Sequence, residues 1–409
     1  MKRQYDKAPV FENGIKLRSG QFMKAVICHQ GQLSVEQQPD PTPSDNQVVL
    51  EVLRCGICGS DLHARHHCNS LADSATKAGL DGLMRFDQKV VLGHEFCGEV
   101  TELGPKANSK IKPGTRVCAL PFLQHNNQLE LLGFSERVNG AYAEYTLVED
   151  VMMVPIPNGL DTDIAALTEP MAIGWHAVNR ADISRKDVAV IIGCGPVGLA
   201  VISALKAKGI EQVIASDFSP KRRELAQQCG ADIVVDPAEQ SAFDNWQAMG
   251  FSMRTDDLLG QAIDARRNMD KAPIAWWHQW RLAEKLGVTK IKRPVIFECV
   301  GVPGLIQNLI DQAPIQSRLV VVGVCMENDN FVPSTAINKE IDIRFCVGYT
   351  PLEYRDTLHL LAEGKLTAAP LITGKVGLDG VENAFDALAD PEQHAKILID
   401  PRSSLSCPA

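Results

Sequence analysis

The stretch VAVIIGCGPVGLAVISALKAKGIEQVIASD, residues 188–217, constrains the fold more than any other part of the chain. Val188 to Ile192 is a continuous apolar, β-branched run, the texture of a parallel strand buried on both faces. Gly193, Gly195 and Gly198 follow at G-x-G-x-x-G spacing. Leu199 to Lys208 then reads as a helix stopped by Gly209, and a second apolar strand closes on Asp217. Gly193 permits the tight turn, Gly195 lets backbone approach a pyrophosphate, and Gly198 lets helix and strand pack closely. Pro196 and Val197, inside the glycine turn, join the expected cofactor contacts, and the N-terminus of the following helix, with free N–H groups and a partial positive charge, suits phosphate. Asp217 stands 19 residues past the last glycine, where a carboxylate meets a ribose diol and repels a 2′-phosphate. That favours NAD over NADP, a preference tempered by Lys221, Arg222 and Arg223; Arg222 joins the expected cofactor contacts. A tight turn without a ligand is the alternative reading.

At 409 residues the chain is long enough for two domains, each with its own core. A net charge of −9 leaves no electrostatic footprint for nucleic acid. No apolar run reaches the roughly 18 residues of a membrane span, and no signal-peptide core opens the chain. Twelve cysteines scattered over so long a chain read as reduced thiols in the cytoplasm. Neither nucleic acid nor membrane is expected as a partner.

Residues 1–22 are polar and patternless and read as an N-terminal extension. From Met23 short strands and Gly/Pro turns suggest a small barrel-like domain, interrupted by a polar segment, Ala64 to Lys89, expected to be a loop at the mouth of a cleft. Asp161 is placed to cap a helix running through IAALTEPMAIGWHAV. Strands alternating with helices follow to about Cys346, which implies a doubly wound parallel sheet. The tail to Asp400 ends in the strand AKILID and is expected to return to the first domain. The domains are therefore 23–178 with 347–409, and 179–346 with an insertion at about 238–292 that holds four of the five tryptophans. Trp276, Trp277 and Trp280 suggest a satellite core or subunit contact, or else a cover for the ligand cleft.

Three separate places offer metal-binding atoms: Cys58, His94 with Glu95, and Glu169. A thiolate, an imidazole and a carboxylate suit Zn²⁺, and three protein ligands leave the open position of a catalytic site. CGICGSDLH, GHEFCGEV, GAYAEY, the TEP segment and GCGPVG together resemble the zinc-dependent medium-chain dehydrogenases, in order and over most of the chain from Met23 to Pro401. The resemblance is greatest to the sorbitol and threonine dehydrogenase branch. It implies an α/β architecture, a GroES-like β-barrel catalytic domain plus a Rossmann doubly wound parallel-sheet domain. It further implies an NAD-linked alcohol dehydrogenase acting on a small-molecule alcohol or carbonyl, and a homodimer or homotetramer.

Carried over by position, the resemblance makes Cys58, His94 and Glu169 zinc ligands and Glu95 a second carboxylate close by. It makes Ser60 and His63 members of a relay carrying a proton from the alcohol, through the cofactor ribose, to solvent. Asp61 would orient the zinc histidine. Cys55 reads as a small buried thiol. Many relatives hold a second, structural zinc on four close cysteines; here the matching stretch has only Cys97 and Cys118, so no such site is expected. His66, His67 and Cys68 are not expected to form a specific metal site. A secondary alcohol or polyol is the favoured substrate. The rivals are a bulky or aromatic primary alcohol, a zinc-free quinone or alkene reductase, and a non-catalytic nucleotide-binding protein.

Overall fold

The computed structural model describes residues 22–409, save Ser109, Asn127, Asn245, Gln247 and Ala248, together with two short paired strands, Phe11–Glu12 and Ile15–Lys16. Of the expected extension, residues 1–22, Phe22 opens the strand Phe22–His29, and the rest otherwise lies outside the described residues. Two compact units divide the chain, Met1–Ala172 with Tyr349–Ala409, and Ile173–Gly348.

The first unit is organised around the strand Gln47–Gly56, whose QVVLEVLRCG is buried at eight of its ten positions, all but Glu51 and Arg54. It pairs antiparallel with Glu95–Leu103 on one side, and on the other with Tyr145–Glu149 and then Lys396–Ile399. The resulting sheet runs Met153–Pro155, Arg116–Ala119, Glu95–Leu103, Gln47–Gly56, Lys396–Ile399, Ile372–Val376. A smaller sheet pairs Phe22–His29 with Gln32–Pro39 and Val90–Val91. Register matters most at one end of the hub strand, where Gly56 faces Glu95 across one ladder and Leu398 across the other.

Two expectations about helices are corrected. The polar segment Ala64 to Lys89 is a loop only from Ala78 on: a helix spans Gly59–Lys77, with a non-helical residue at His67. Its buried face is Ala64, Cys68 and Ala72, at a spacing of four. Small side chains mark the buried stripe so weakly that the sequence shows little periodicity. The helix expected from Asp161 is two helices, Thr162–Ala166 and Thr168–Ala181. Asp161 does cap the first, accepting from the Asp163 N–H at 2.7 Å. Pro170 has no N–H to give and its ring would meet the Ala166 carbonyl, so the chain must restart, with Pro170 in the new first turn. Glu169 is thereby set at a helix start.

The second unit is a six-stranded parallel sheet ordered Ile233–Val235, Gln212–Ser216, Val188–Ile192, Val295–Glu298, Arg318–Val321, Asp342–Phe345. Strand order reverses beside Val188–Ile192, the place where open α/β sheets bind ligands at their carboxyl ends. The tryptophans of the insertion divide. Trp246 is buried in the core of this unit between Phe243 and Phe251, donating Nε1–H to the Ala242 carbonyl. Trp276, Trp277 and Trp280 sit on a surface helix, Trp276–Lys285.

Candidate active site

Cys58 caps the helix Gly59–Lys77 from an extended backbone conformation, so its thiol stands at the helix start. The cap is reciprocal. Asp61, three residues on, accepts the Cys58 backbone N–H at 2.9 Å. Asp61 is wholly buried and also accepts the Tyr142 hydroxyl at 2.6 Å. Its other oxygen lies 3.3 Å from His94 Nδ1, and neither of these two buried atoms has another partner. With the Nδ1 proton facing a carboxylate, Nε2 is the nitrogen left for a cation, which must displace its proton. Ser60 Oγ lies 3.3 Å from that Nε2. Gly93, before the histidine, has φ +101°, and a Cβ there would come within 2.4 Å of the Tyr142 ring, so glycine is required on both counts.

The Cys58 sulfur, an imidazole nitrogen of His94 and a carboxylate oxygen of Glu95 all lie within 4.8 Å of one another. Sulfur, nitrogen and oxygen donors converging on one buried point fit a zinc ion in kind and in spacing. Burial and the neighbouring Glu95 push the Cys58 thiol up, against the pull of His94. Burial disfavours the His94 cation, but the Asp61 carboxylate outweighs it and carries the imidazole well above its usual range. Glu169 does not join the trio at that distance. Its carboxylate is buried, accepts the Tyr349 hydroxyl, and is pushed up to about 7 by burial, with His94 drawing it down and Glu95 raising it. Glu95 is gripped by Lys396, whose Nζ lies 2.8 and 2.7 Å from its two oxygens and also donates to the Ile57 carbonyl at 2.8 Å.

His63 lies on the same helix as Ser60, one turn on and open to solvent on one side, and partial desolvation together with His67 lowers its imidazole. Cys55 is fully buried with its thiol pushed well up, as a packing residue. Cys68 is buried while His66 and His67 are exposed on the same helix.

In the second unit Gly193 has φ +89°, and a Cβ on Gly198 would fall 2.0 Å from the Gly193 carbonyl oxygen. A Cβ on Gly195 would meet nothing within 4 Å. The open side of the turn is therefore at Gly195, which caps the helix Pro196–Ala207. Val197 and Gly198 complete that first turn, as Pro196 has no N–H to offer. Asp217 accepts the Cys194 N–H at 2.7 Å and the Ser219 N–H at 2.9 Å, which ties the end of the second strand to the glycine turn. Arg222 Nε is buried without a partner.

Residues 44–158 match the model of the alcohol dehydrogenase GroES-like domain, and residues 196–363 that of zinc-binding dehydrogenases. (R,R)-butanediol dehydrogenase of Bacillus subtilis is 31% identical over 389 residues, spanning 93% of this chain and 100% of its own. The chain belongs to the zinc-dependent medium-chain dehydrogenases. Sorbitol dehydrogenase of the same bacterium is 27% identical over 93% of this chain and 98% of its own. The crystal structure of the Bacillus subtilis 2R,3R-butanediol dehydrogenase superposes with a TM-score of 0.69 at 29% identity, covering 93% of this chain and 100% of that one. Like its family, this dehydrogenase joins a GroES-like domain to a Rossmann domain and uses zinc with a nicotinamide cofactor.

Three further residues belong to this dehydrogenase's site. Tyr142 stands inside the GAYAEY motif but carried no assigned role. Lys396 was visible as a lone cation opening the apolar strand KILI, which calls for a buried acid as partner. Tyr349 follows a glycine in a stretch with no pattern, and nothing local pointed to it. The stretch after Cys118 also resolves: the hairpin Phe122–His125 with Gln128–Leu131 carries Glu130, buried, accepting from Ser135 Oγ at 2.7 Å and from Arg137 at 2.5 Å. Cys97 and Cys118 face each other across their ladder, and their thiols donate to the Thr162 and Ala165 carbonyls.

Proposed function

We propose that this dehydrogenase interconverts a secondary alcohol or polyol and its ketone, with NAD as the hydride carrier and a single catalytic zinc. The observation that carries the reading is the convergence of Cys58, His94 and Glu95 within 4.8 Å on a frame braced by Asp61 and Tyr142. When bound, zinc supplies Lewis acidity at the alcohol oxygen, and nicotinamide takes the hydride.

The chain's own residues do the rest. Cys58, His94 and Glu95 hold the metal, and Lys396 balances the Glu95 charge. Glu169, which the resemblance makes the third ligand, stands outside that trio as a second carboxylate at the start of its helix. Asp61 fixes the His94 ring so that Nε2 faces the metal. Ser60, beside that nitrogen, receives the substrate proton; His63, one helical turn on and solvent-exposed, delivers it outward. Gly193, Gly195, Pro196, Val197 and Gly198 cradle the pyrophosphate, with Arg222 alongside. Asp217 supports NAD over NADP, since a carboxylate meets a ribose diol and repels a phosphate there.

The substrate class rests on the relatives: butanediol and sorbitol dehydrogenases are named for substrates that carry secondary carbinols. A cytoplasmic homodimer or homotetramer completes the reading. No disulfide joins cysteines among the described residues, which fits a reducing compartment, and no helix of the described residues is long and apolar enough to cross a membrane. The test is Cys58→Ser. It should lose most bound zinc and nearly all NAD⁺ reduction with butane-2,3-diol or sorbitol, while dinucleotide still binds. Full turnover after substitution and chelation would remove the zinc mechanism, and a preference for primary aromatic alcohols would remove the substrate class.

A further inference from the structure

In the insertion, the helices Thr255–Met269 and Trp276–Lys285 have no buried residue between them. Trp276 and Trp280 turn toward Leu259 and Ile263 across a shallow groove, with the Arg266 guanidinium 4.6 Å above the Trp276 ring. That contact uses one face of the second helix. Trp277 lies about 100° around the helix from Trp276 and falls outside it. With Leu282, Leu286 (70% exposed) and Val288 (74% exposed), it is left at the surface. At about 100° per residue, Leu282 and Leu286 stand roughly 140° and 180° round from Trp277, so aromatic and aliphatic side chains flank the exposed arc of this helix.

The charge of the same segment is the second observation. Residues 266–293 hold eight Lys or Arg against two acids, Asp270 and Glu284, in a chain whose net charge is −9. Both acids are engaged, Asp270 with Arg266 and Glu284 with the Trp280 indole N–H at 3.0 Å. Trp277, Arg281 and Lys285 follow at i, i+4 and i+8, so aromatic and cations share one exposed stripe. Lys290 and Lys292 extend it past Val288.

We infer that this helix pair seats the dehydrogenase peripherally on an anionic lipid surface. Tryptophan and aliphatic side chains enter the headgroup boundary while Arg281, Lys285 and Lys290 meet lipid phosphates. A peripheral contact needs no spanning segment, so the lack of one in the sequence does not exclude this surface. A nucleic acid would satisfy the cations but leave Leu282, Leu286 and Val288 without a partner. Two copies meeting through this same face would oppose their cations. A copy docking its acidic surface here would make a head-to-tail contact, which stays open unless the ring closes. The inference is independent of the reaction proposed above.

The test is flotation of the full chain with vesicles of phosphatidylcholine alone, and with vesicles also containing phosphatidylglycerol. Binding should require phosphatidylglycerol and weaken with salt. Arg281→Glu with Lys285→Glu should cut it at least about tenfold, since each basic residue near such a surface contributes on the order of fivefold. Trp277→Ser with Leu286→Ser should weaken it too, and both pairs should keep alcohol oxidation unchanged. Failure of the wild-type chain to float with either vesicle overturns the inference, as does undiminished binding by the charge-reversed pair. It is equally overturned if Trp277→Ser with Leu286→Ser lowers the oligomer mass by light scattering and leaves vesicle binding intact, or if nucleic acid is retained and lipid is not.

Discussion

Gly56 has no room for a side chain: a Cβ there would lie 2.2 Å from a carboxylate oxygen of Glu95. The hub strand ends on glycine because the acid opposite folds across it to reach Lys396, and both members of that ion pair are 1% exposed. A buried pair stabilises little by itself, whereas breaking it leaves a bare charge. Lys396→Met should therefore destabilise the protein by about 3–5 kcal/mol in denaturant melts. Combining it with Glu95→Gln should recover at least half of the loss. If the double variant is no better than the single, Lys396 acts through something other than Glu95. A second prediction concerns Tyr142, whose hydroxyl is one of the two groups donating to Asp61 Oδ2. Tyr142→Phe leaves the helix cap but loosens the carboxylate behind His94. Zinc affinity should fall by roughly 10-fold, read by chelator competition, and an unchanged affinity would show that Asp61 holds the ring without help.

At the scale of elements, the glycine turn after Val188–Ile192 separates packing from binding. Gly198→Ala puts a Cβ 2.0 Å from the Gly193 carbonyl oxygen, so strand and helix must move apart. The melting temperature should drop, and cofactor affinity with it. Gly195→Ala meets nothing within 4 Å. It should melt as the parent does and yet bind dinucleotide at least about tenfold more weakly, because the lost space is the ligand's. Calorimetry with a dinucleotide titration separates the two. Equal melting losses for both variants would mean that Gly195 serves the fold and not the cofactor.

For the whole molecule, metal binding is coupled to protons and to stability. The Cys58 thiol is raised by burial, and His94 is raised by Asp61 against its own burial, so both hold protons at neutral pH. A cation must displace them. The sign follows: affinity for zinc rises with pH, by up to about a hundredfold per pH unit where both protons leave, and binding acidifies an unbuffered solution. A pH-independent affinity would place the metal elsewhere. Chelation should also lower the melting temperature, since zinc at about 100 times its dissociation constant contributes about 2.7 kcal/mol.

Much of this was legible in the order of residues. The parallel sheet, the glycine turn and Asp217 are local, set by β-branched runs, by glycine's tolerance of positive φ and by a spacing one βαβ unit spans. Motif likeness drew Cys58, Ser60, Asp61, His94, Glu95 and Glu169 into one site, across 111 positions from Cys58 to Glu169. What remained hidden depended on contacts distant in sequence. Lys396 reaches Glu95 only because the tail returns as a strand beside Gly56, 340 residues earlier than Lys396. The helix Gly59–Lys77 is held by small residues that leave no periodic mark, and the tryptophans split between core and surface by packing that no spacing rule foretells. Local chain stiffness and hydrophobic period determined the elements; which buried charge met which partner was decided only when sheet register brought them within hydrogen-bond reach.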